Sequence, residues 1–83
     1  MDRTSIASKF KEIVANYMEL GMETISDSSI SFLELGVDSL DSVEILMETE
    51  KQFDIVTTSD EIESIKTVEE AIDLIVKKID EKG

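Results

Sequence analysis

Apolar side chains recur at helical spacing near the start of the chain. From Thr4 or Ser5 onward they fall at steps of three and four, on one stripe of a helix, at Ile6, Phe10, Ile13, Val14, Tyr17 and Met18. Gly21 follows Leu20, and glycine readily adopts the left-handed conformation in which helices commonly end. The pattern therefore predicts a first helix that stops at Gly21.

The next segment, residues 21 to 37, has no sustained period. Its serines are mixed with apolar residues that can anchor a loop, namely Met22, Ile25, Ile30, Phe32, Leu33, Leu35 and Val37. Strand-like alternation runs from Ser29 to Leu33, but no other segment offers a partner strand, and a lone strand leaves its backbone groups unpaired. We therefore predict a long ordered loop pinned by buried side chains, and long loops of this kind are often functional.

The second helix is predicted to begin after Asp38, whose carboxylate can accept the backbone N–H of Leu40 or Asp41. It runs to about Phe53. We assign its buried stripe to Leu40, Val43, Leu46 and Met47. The opposite flank carries Asp41, Glu44 and Glu48. Ile45 falls off the apolar stripe, toward the acidic side.

Two further helices complete the pattern. A short one is predicted after Thr58 or Ser59, carrying Ile62 and Ile65. The last helix starts with a capping box, in which an acidic residue stands three positions after a threonine, at Thr67 and Glu70. Its core face is predicted to be Val68, Ala71, Ile72, Ile75, Val76 and Ile79. The fold class is therefore all-α: one domain over residues 1–83, a bundle of three long helices and one short one, with a long loop between helices one and two.

Composition narrows the possible functions. Twenty Asp and Glu against eight Lys and Arg give a net charge of −12, and the chain has no histidine or cysteine. Disulfides and thiolate ligands are excluded, and a nucleic-acid-binding surface would need the opposite charge. The apolar runs are too short to span a membrane, and the N-terminus leads into a charged amphipathic stretch rather than a signal peptide. We expect a soluble cytoplasmic protein that does not bind nucleic acid.

Catalytic and metal-binding motifs are missing from the sequence. No histidine is available to pair with a serine, and no glycine-rich phosphate loop is present, so we assign no catalytic residue. Acidic residues at positions 27, 34, 38 and 41 lack the ligand order and central glycine of an EF-hand loop. Weak binding of a divalent ion to an acidic face is compatible with the sequence, but we predict no dedicated metal site.

The segment LGVDSLDSVEIL, residues 35 to 46, is the most informative part of the chain. Ser39 is the first residue of the predicted second helix, so its hydroxyl lies beside unpaired backbone N–H groups and the positive end of the helix dipole, a favourable place for a phosphate. Gly36 lets the loop turn sharply, so that Asp38 and Ser39 project. Taken alone, however, such a serine is more often a simple helix-start residue.

This segment closely resembles the attachment site of acyl carrier proteins. The shared pattern is leucine-glycine-x-aspartate-serine-leucine, then an acidic residue, x, valine, glutamate and an aliphatic residue. The likeness covers most of the chain from Phe32 to Ile79, and it continues at Met47, Glu50, Phe53, Asp54, residues 65 to 68, Ala71, Ile72 and Ile75. The sequence is similar to a freestanding type II acyl carrier rather than to a peptidyl carrier.

The resemblance implies a covalent prosthetic group and a set of client enzymes. In that family the motif serine, here Ser39, carries 4′-phosphopantetheine, which a holo-acyl-carrier-protein synthase transfers from coenzyme A with Mg²⁺ on the diphosphate. The thiol of the arm holds acyl groups as thioesters for fatty-acid or related polyketide biosynthesis. An aminoacyl or otherwise specialised carrier is the alternative within the family. An unmodified acidic helical adaptor that binds a basic protein is the alternative outside it.

The resemblance and the local charge also suggest roles for the residues around Ser39. Asp38 is expected to cap the helix and to help position Mg²⁺ in the transferase complex, and Leu40 is expected to contact partners or to be buried. Residues 34 to 63 hold ten acidic residues and one basic residue, a net charge of −9. That density favours steering toward arginine- and lysine-rich docking patches over a merely solvated face. The predicted partner-binding residues are Asp41, Glu44, Met47 and Glu48, with Ile45 as a further apolar contact. We expect the protein to be a monomer.

A second hypothesis concerns the acyl chain. Apolar residues could part to shelter it, and the predicted lining is Val43, Leu46, Ile62, Ala71 and Ile75 with the loop residues Phe32 and Leu33. Ordinary core packing accounts for the same residues without any cavity. A small domain with a long loop is nevertheless a plausible place for such opening, because local stability there is low.

Overall fold

The computed structural model describes residues 2–82, and four α-helices and one 3₁₀ helix lie within them. The α-helices are α1 (Arg3–Met18), α2 (Ser39–Phe53), α3 (Ser59–Ser64) and α4 (Val68–Lys82). The 3₁₀ helix, Met22–Ile25, interrupts the long connection between α1 and α2. The all-α prediction of three long helices and one short one is confirmed.

Helix α1 ends earlier than the sequence suggested. Glu19, not Gly21, adopts the left-handed conformation, with φ at 57°, and its N–H donates to the carbonyl of Ala15. Gly21 has an ordinary φ of −74° and precedes the 3₁₀ helix. Leu20 packs against the core, which requires the chain to turn before it rather than after it. The prediction that glycine ends this helix was therefore wrong.

The core is formed chiefly between α1 and α4. Helix α1 buries Ile6, Phe10, Val14 and Ala15. Helix α4 buries Val68, Ala71, Ile72 and Ile75, with Val76 and Ile79 half-buried against them. Tyr17, predicted to lie on the α1 stripe, is instead exposed at the edge that faces α2. The predicted core face of α4 is confirmed.

The long loop is pinned by buried side chains, as predicted, and also by backbone pairing. Ile25, Leu35 and Val37 are buried, whereas Met22 and Leu33 are exposed and anchor nothing in the core. Ser31 forms an antiparallel bridge with Thr67, the residue before α4. No strand forms within residues 2–82, as predicted, but the sequence did not predict this single bridge to the residue before α4.

Helix α2 buries a different face from the one predicted. Ile45, Leu46, Thr49 and Phe53 are buried, and the Thr49 hydroxyl donates to the Ile45 carbonyl at 2.8 Å. That hydrogen bond satisfies the hydroxyl, so a threonine can occupy the core at little cost. Three residues of the predicted stripe are exposed: Leu40, Val43 and Met47. Ile45, expected beside the acids as a partner contact, is 2% exposed and belongs to the core.

Helix α3 is short and held mainly at its ends. Thr58 caps it and forms a capping box with Glu61. Lys78 of α4 forms an ion pair with Glu61 at 2.9 Å, and this hydrogen-bonded ammonium holds the pKa of the Glu61 carboxyl below its usual value. No residue of α3 is fully buried, and Ile65 lies just after the helix rather than in it.

Candidate functional site

The start of α2 is fixed by a reciprocal capping box. The Asp38 carboxylate accepts the N–H of Asp41 at 2.9 Å, and the Asp41 carboxylate accepts the N–H of Asp38 at 3.3 Å. The predicted helix start and the capping role of Asp38 are confirmed. The second half of the box was not foreseen, although an acidic residue three positions after the cap is its sequence signal.

The loop before this cap turns sharply at Gly36. Its φ of +82° lies in the region that favours glycine, and an added Cβ would meet nothing within 4 Å, so the demand at this position is conformational and not steric. The N–H of Val37 donates to the Phe32 carbonyl at 3.0 Å, and the Val37 side chain is buried. The turn therefore anchors Val37 and projects the two residues that follow.

Ser39 is exposed at the first position of α2. In the part of the chain that the structure describes, its N–H and that of Leu40 have no hydrogen-bond acceptor, whereas the N–H groups of Asp41 and Ser42 are both paired with Asp38. Free amides at the positive end of a helix dipole favour a phosphate group. The start of α2 therefore presents an exposed hydroxyl beside two free backbone N–H groups.

Helix α3 offers the same local geometry a second time. Ser59 is exposed and is the first residue after a capped helix start, at Thr58. Its helix has six residues, against fifteen in α2. Position at a helix start therefore does not by itself single out Ser39, and the flanking pattern has to do so.

Comparisons with known proteins identify the family of the chain. The family model for the phosphopantetheine attachment site matches residues 8–75. The acyl carrier protein of Chlorobium phaeobacteroides is 40% identical over 78 residues, which are 94% of this chain and 100% of that protein. The acyl carrier protein of Buchnera aphidicola subsp. Acyrthosiphon pisum is 38% identical over 74 residues, which are 89% of this chain and 92% of that protein. The chain belongs to the acyl carrier protein family.

Solved structures agree with this assignment. The acyl carrier protein from Thermotoga maritima, known from a crystal structure, has 35% sequence identity to this chain. The two structures superpose with a TM-score of 0.87, covering 100% of this chain and 96% of that one. The protein is thus an acyl carrier of fatty-acid biosynthesis, which bears its cargo on 4′-phosphopantetheine and interacts with acyl-processing enzymes. It is a carrier and not a catalyst, and the unmodified adaptor is not favoured.

The exposed side of the carrier's second helix combines apolar and acidic residues. Leu40, Val43 and Met47 are 68%, 46% and 61% exposed. With the exposed Glu44 and the half-buried Glu48 they form what we term the outer face of α2. Asp41 is half-buried and its carboxylate is occupied by the capping box. Val43 was missed as an outward residue, although its spacing from Leu40 and Met47 carries that signal.

A groove separates this acidic helix from α1. It is lined by Ile13 and Tyr17 on one side and by Glu44 and Glu48 on the other. Partial burial raises the pKa of the Tyr17 phenol above its ordinary 10.0, and the negative charges of Glu44 and Asp41 raise it further. The pKa of Tyr17 therefore depends both on its partial burial and on the negative charges of α2.

A small cavity of about 30 Å³ lies inside the carrier. Its lining includes four residues predicted to shelter a chain, Phe32, Leu46, Ile62 and Ala71, together with Phe10, Val37, Ser42, Ile45 and Ile65. Val43 and Leu33 are exposed and Ile75 packs in the core, so the prediction was wrong for these three. For Val43 the reason is the orientation of α2, which places Ile45 inward and Val43 outward.

A surface groove beside the candidate attachment serine neighbours this cavity. It is lined by Ser39, Ser42, Val43, Ser59, Ile62 and Glu63. Two of these residues, Ser42 and Ile62, also line the cavity. The groove and the cavity are therefore adjacent.

Two other kinds of site are absent from residues 2–82. No group of three or more His, Cys, Asp or Glu side chains is arranged there to hold a metal ion. Nor does any helix in this range combine the length and the apolar character needed to cross a bilayer.

Proposed function

We propose that Ser39 is the residue of this carrier that takes 4′-phosphopantetheine. The observation that supports it is an exposed hydroxyl at the first position of α2, inside the Asp-Ser-Leu pattern of the family. Its oxygen would attack the phosphorus that bears the pantetheine of coenzyme A. A phosphodiester forms, the adenine nucleotide leaves, and the hydroxyl proton passes to a base of the transferase.

The helix start suits the product of that reaction. The new phosphodiester is an anion, and the N–H groups of Ser39 and Leu40 are free to stabilise it. The carboxylates of Asp38 and Asp41 stand nearby, but each already accepts a backbone N–H of the cap. Asp38 would in addition help to hold Mg²⁺ in the transferase complex, because a carboxylate oxygen is a ligand that Mg²⁺ prefers.

The matched pair of serines tests the attachment site. The wild-type carrier, Ser39→Ala and Ser59→Ala are incubated with coenzyme A, Mg²⁺ and a broad-specificity phosphopantetheinyl transferase, and intact masses are recorded. We expect wild type and Ser59→Ala to gain one phosphopantetheine and Ser39→Ala to gain none. Modification of Ser39→Ala would show that another residue is the acceptor.

We further propose that the outer face of α2, together with Asp41, docks onto basic patches of the holo-synthase and of acyl-processing enzymes. Residues 34 to 63 supply −9 of the total charge of −12, which steers cationic surfaces toward this side. Leu40 and Met47 are exposed beside those acids and offer an apolar contact once the partner has arrived. The same net charge opposes self-association, which supports a monomer, and we place the carrier in the cytoplasm.

The cavity supports a second role, transient shelter of the acyl chain. At about 30 Å³ it has room for about one water molecule, so any cargo must enlarge it. We propose that α3, which buries none of its residues fully, moves outward to do so. Amide hydrogen exchange of the holo and acylated carrier tests this, and equal protection in the two forms would contradict it.

A further inference from the structure

Helix α3 lies in a segment that is fixed at both ends. Before the helix, the Glu50 carboxylate accepts the N–H of Thr57 at 2.7 Å and its hydroxyl at 2.9 Å. After the helix, the carbonyl of Lys66 accepts the N–H of Phe32 at 3.0 Å, and the antiparallel bridge at Thr67 follows. While these contacts hold, α3 can move only between residues 57 and 66.

Apolar packing holds α3 only weakly. Four of its six residues are exposed, and the other two, Glu61 and Ile62, are half-buried. Both Ile62 and Ile65 line the small cavity, but of the two only Ile65, which lies just after the helix, also packs against the buried core. The helix itself therefore has no apolar side chain anchored in the core.

A charged contact joins α3 to α4 instead. One oxygen of Glu61, Oε1, accepts the N–H of Thr58 at 2.9 Å and completes the cap of α3. The other, Oε2, pairs with the ammonium of Lys78 at 2.9 Å. These two side chains are 24% and 19% exposed, against at least 48% for the side chains of the other ion pairs among the described residues. Water and salt therefore screen this pair least.

We propose that the Glu61–Lys78 ion pair is a latch that holds α3 on α4 and sets how often the helix opens. The one carboxylate links the cap of α3 to α4, so once the pair breaks only the half-buried Ile62 keeps the helix in place. Breaking the pair returns two charged groups to water and uncovers no fully buried side chain of α3, so opening need not disturb the rest of the fold. This inference rests on the proposed outward movement of α3 and assigns its control to two residues.

The test measures amide hydrogen exchange residue by residue in the holo carrier at one pH. The N–H groups of Ile62 and Ile65 are hydrogen-bonded within the segment, so their exchange reports its opening. Lys78→Met removes the charge and keeps an apolar stem, and it should speed exchange at these two amides by about fivefold, the upper end of what surface ion pairs contribute. Exchange in α1 should change less. Lys78→Arg keeps the charge and should stay close to the wild type.

Arg3→Met is the matched control, because it removes an ion pair between α1 and α4, Arg3–Asp73 at 2.6 Å, that does not involve α3. It should leave exchange in α3 unchanged. Glu61→Gln keeps an oxygen for the cap and should reproduce Lys78→Met, and it decides the matter if Lys78→Met does not fold. Equal acceleration in α1 and α3, or no acceleration in α3, overturns the latch. Either result leaves the sheltering of cargo standing, because that role is judged by comparing the holo and acylated wild-type carriers.

Discussion

Helices α2 and α4 look alike in sequence and behave differently in the fold. Each has fifteen residues, and a capping box precedes each. The buried residues of α4 are those that its apolar spacing predicts, Val68, Ala71, Ile72 and Ile75. In α2, three of the four residues of the predicted stripe are exposed.

The difference arises because α2 carries two apolar lines. One runs through Ile45, Thr49 and Phe53 and faces the core. The other runs through Leu40, Val43 and Met47 and faces solvent. Periodicity finds both lines but does not say which one the core takes. A helix that serves only the core needs one line, and the second line of α2 is what a partner would contact.

The largest expected effect is the difference in stability between a substitution on the buried line of α2 and one on the exposed line. Ile45→Ala removes a buried side chain and leaves a cavity, so it should lower the free energy of unfolding by about 2–5 kcal/mol. Met47→Ala, on the exposed line, should change it by no more than about 0.5 kcal/mol. Urea denaturation followed by circular dichroism measures both. Equal losses in the two variants would contradict the assignment of the inner and outer lines.

The next effect concerns the charged residues of the outer face of α2. Reversal of Glu44 and Glu48 to lysine should leave the fold intact and lower the kcat/KM of holo-synthase for the carrier by about tenfold at low salt, since steering is lost. The double reversal Asp80→Lys with Glu81→Lys makes the same charge change on exposed residues of α4 and should have a smaller effect.

Salt dependence completes that comparison. Added salt screens exposed charges, so the difference between wild type and the α2 reversal should shrink as ionic strength rises. If the α4 reversal slows the synthase as much as the α2 reversal does, net charge and not the outer face of α2 governs recognition.

Much of the fold could be predicted because its signals are local. The cap at Asp38, the capping box of Thr67 and Glu70, and the glycine turn at Gly36 each depend on residues within three or four positions of one another. The bridge between Ser31 and Thr67 could not be predicted in the same way. Its partners are distant in sequence, since one lies in the loop before α2 and the other just before α4.

The candidate site likewise has one part that local sequence predicts and one part that depends on how distant segments pack. Ser39 and its cap follow from one continuous segment, and the structure adds only their exposure and their free amides. The cavity draws on all four helices and the loop, so its lining was only half predicted. Phe10 was assigned to the core and not to the cavity, because spacing on α1 does not show which of its buried residues line a cavity.

A smaller effect compares the capping devices of the two helices. Asp38→Ala and Thr67→Ala each remove the side-chain acceptor of a capping box, so each should lower the free energy of unfolding by about 1 kcal/mol. Only Asp38→Ala should also slow phosphopantetheinylation, because Asp38 lies beside the acceptor serine. Equal transferase rates for the two variants would limit Asp38 to a structural role.

The smallest effect uses Tyr17, the one tyrosine of the chain, as a probe of the outer face of α2. Ionisation of the phenol adds a negative charge, which burial and the carboxylates of Glu44 and Asp41 both oppose, so its pKa is raised. Glu44→Lys replaces a repelling charge by an attracting one and should lower the pKa of Tyr17, as followed by ultraviolet absorbance. Asp80→Lys, on α4, should leave it unchanged.

The same shift predicts how stability depends on pH. Since the pKa of Tyr17 is higher in the folded carrier than in the unfolded chain, its contribution to stability is present below the ordinary value of 10.0 and is lost as pH rises through the folded-state value. Glu44→Lys narrows the gap between the two pKa values and should weaken that loss. An unchanged tyrosine titration in Glu44→Lys would mean that the charge of Glu44 does not contribute to the raised pKa of Tyr17 across the groove.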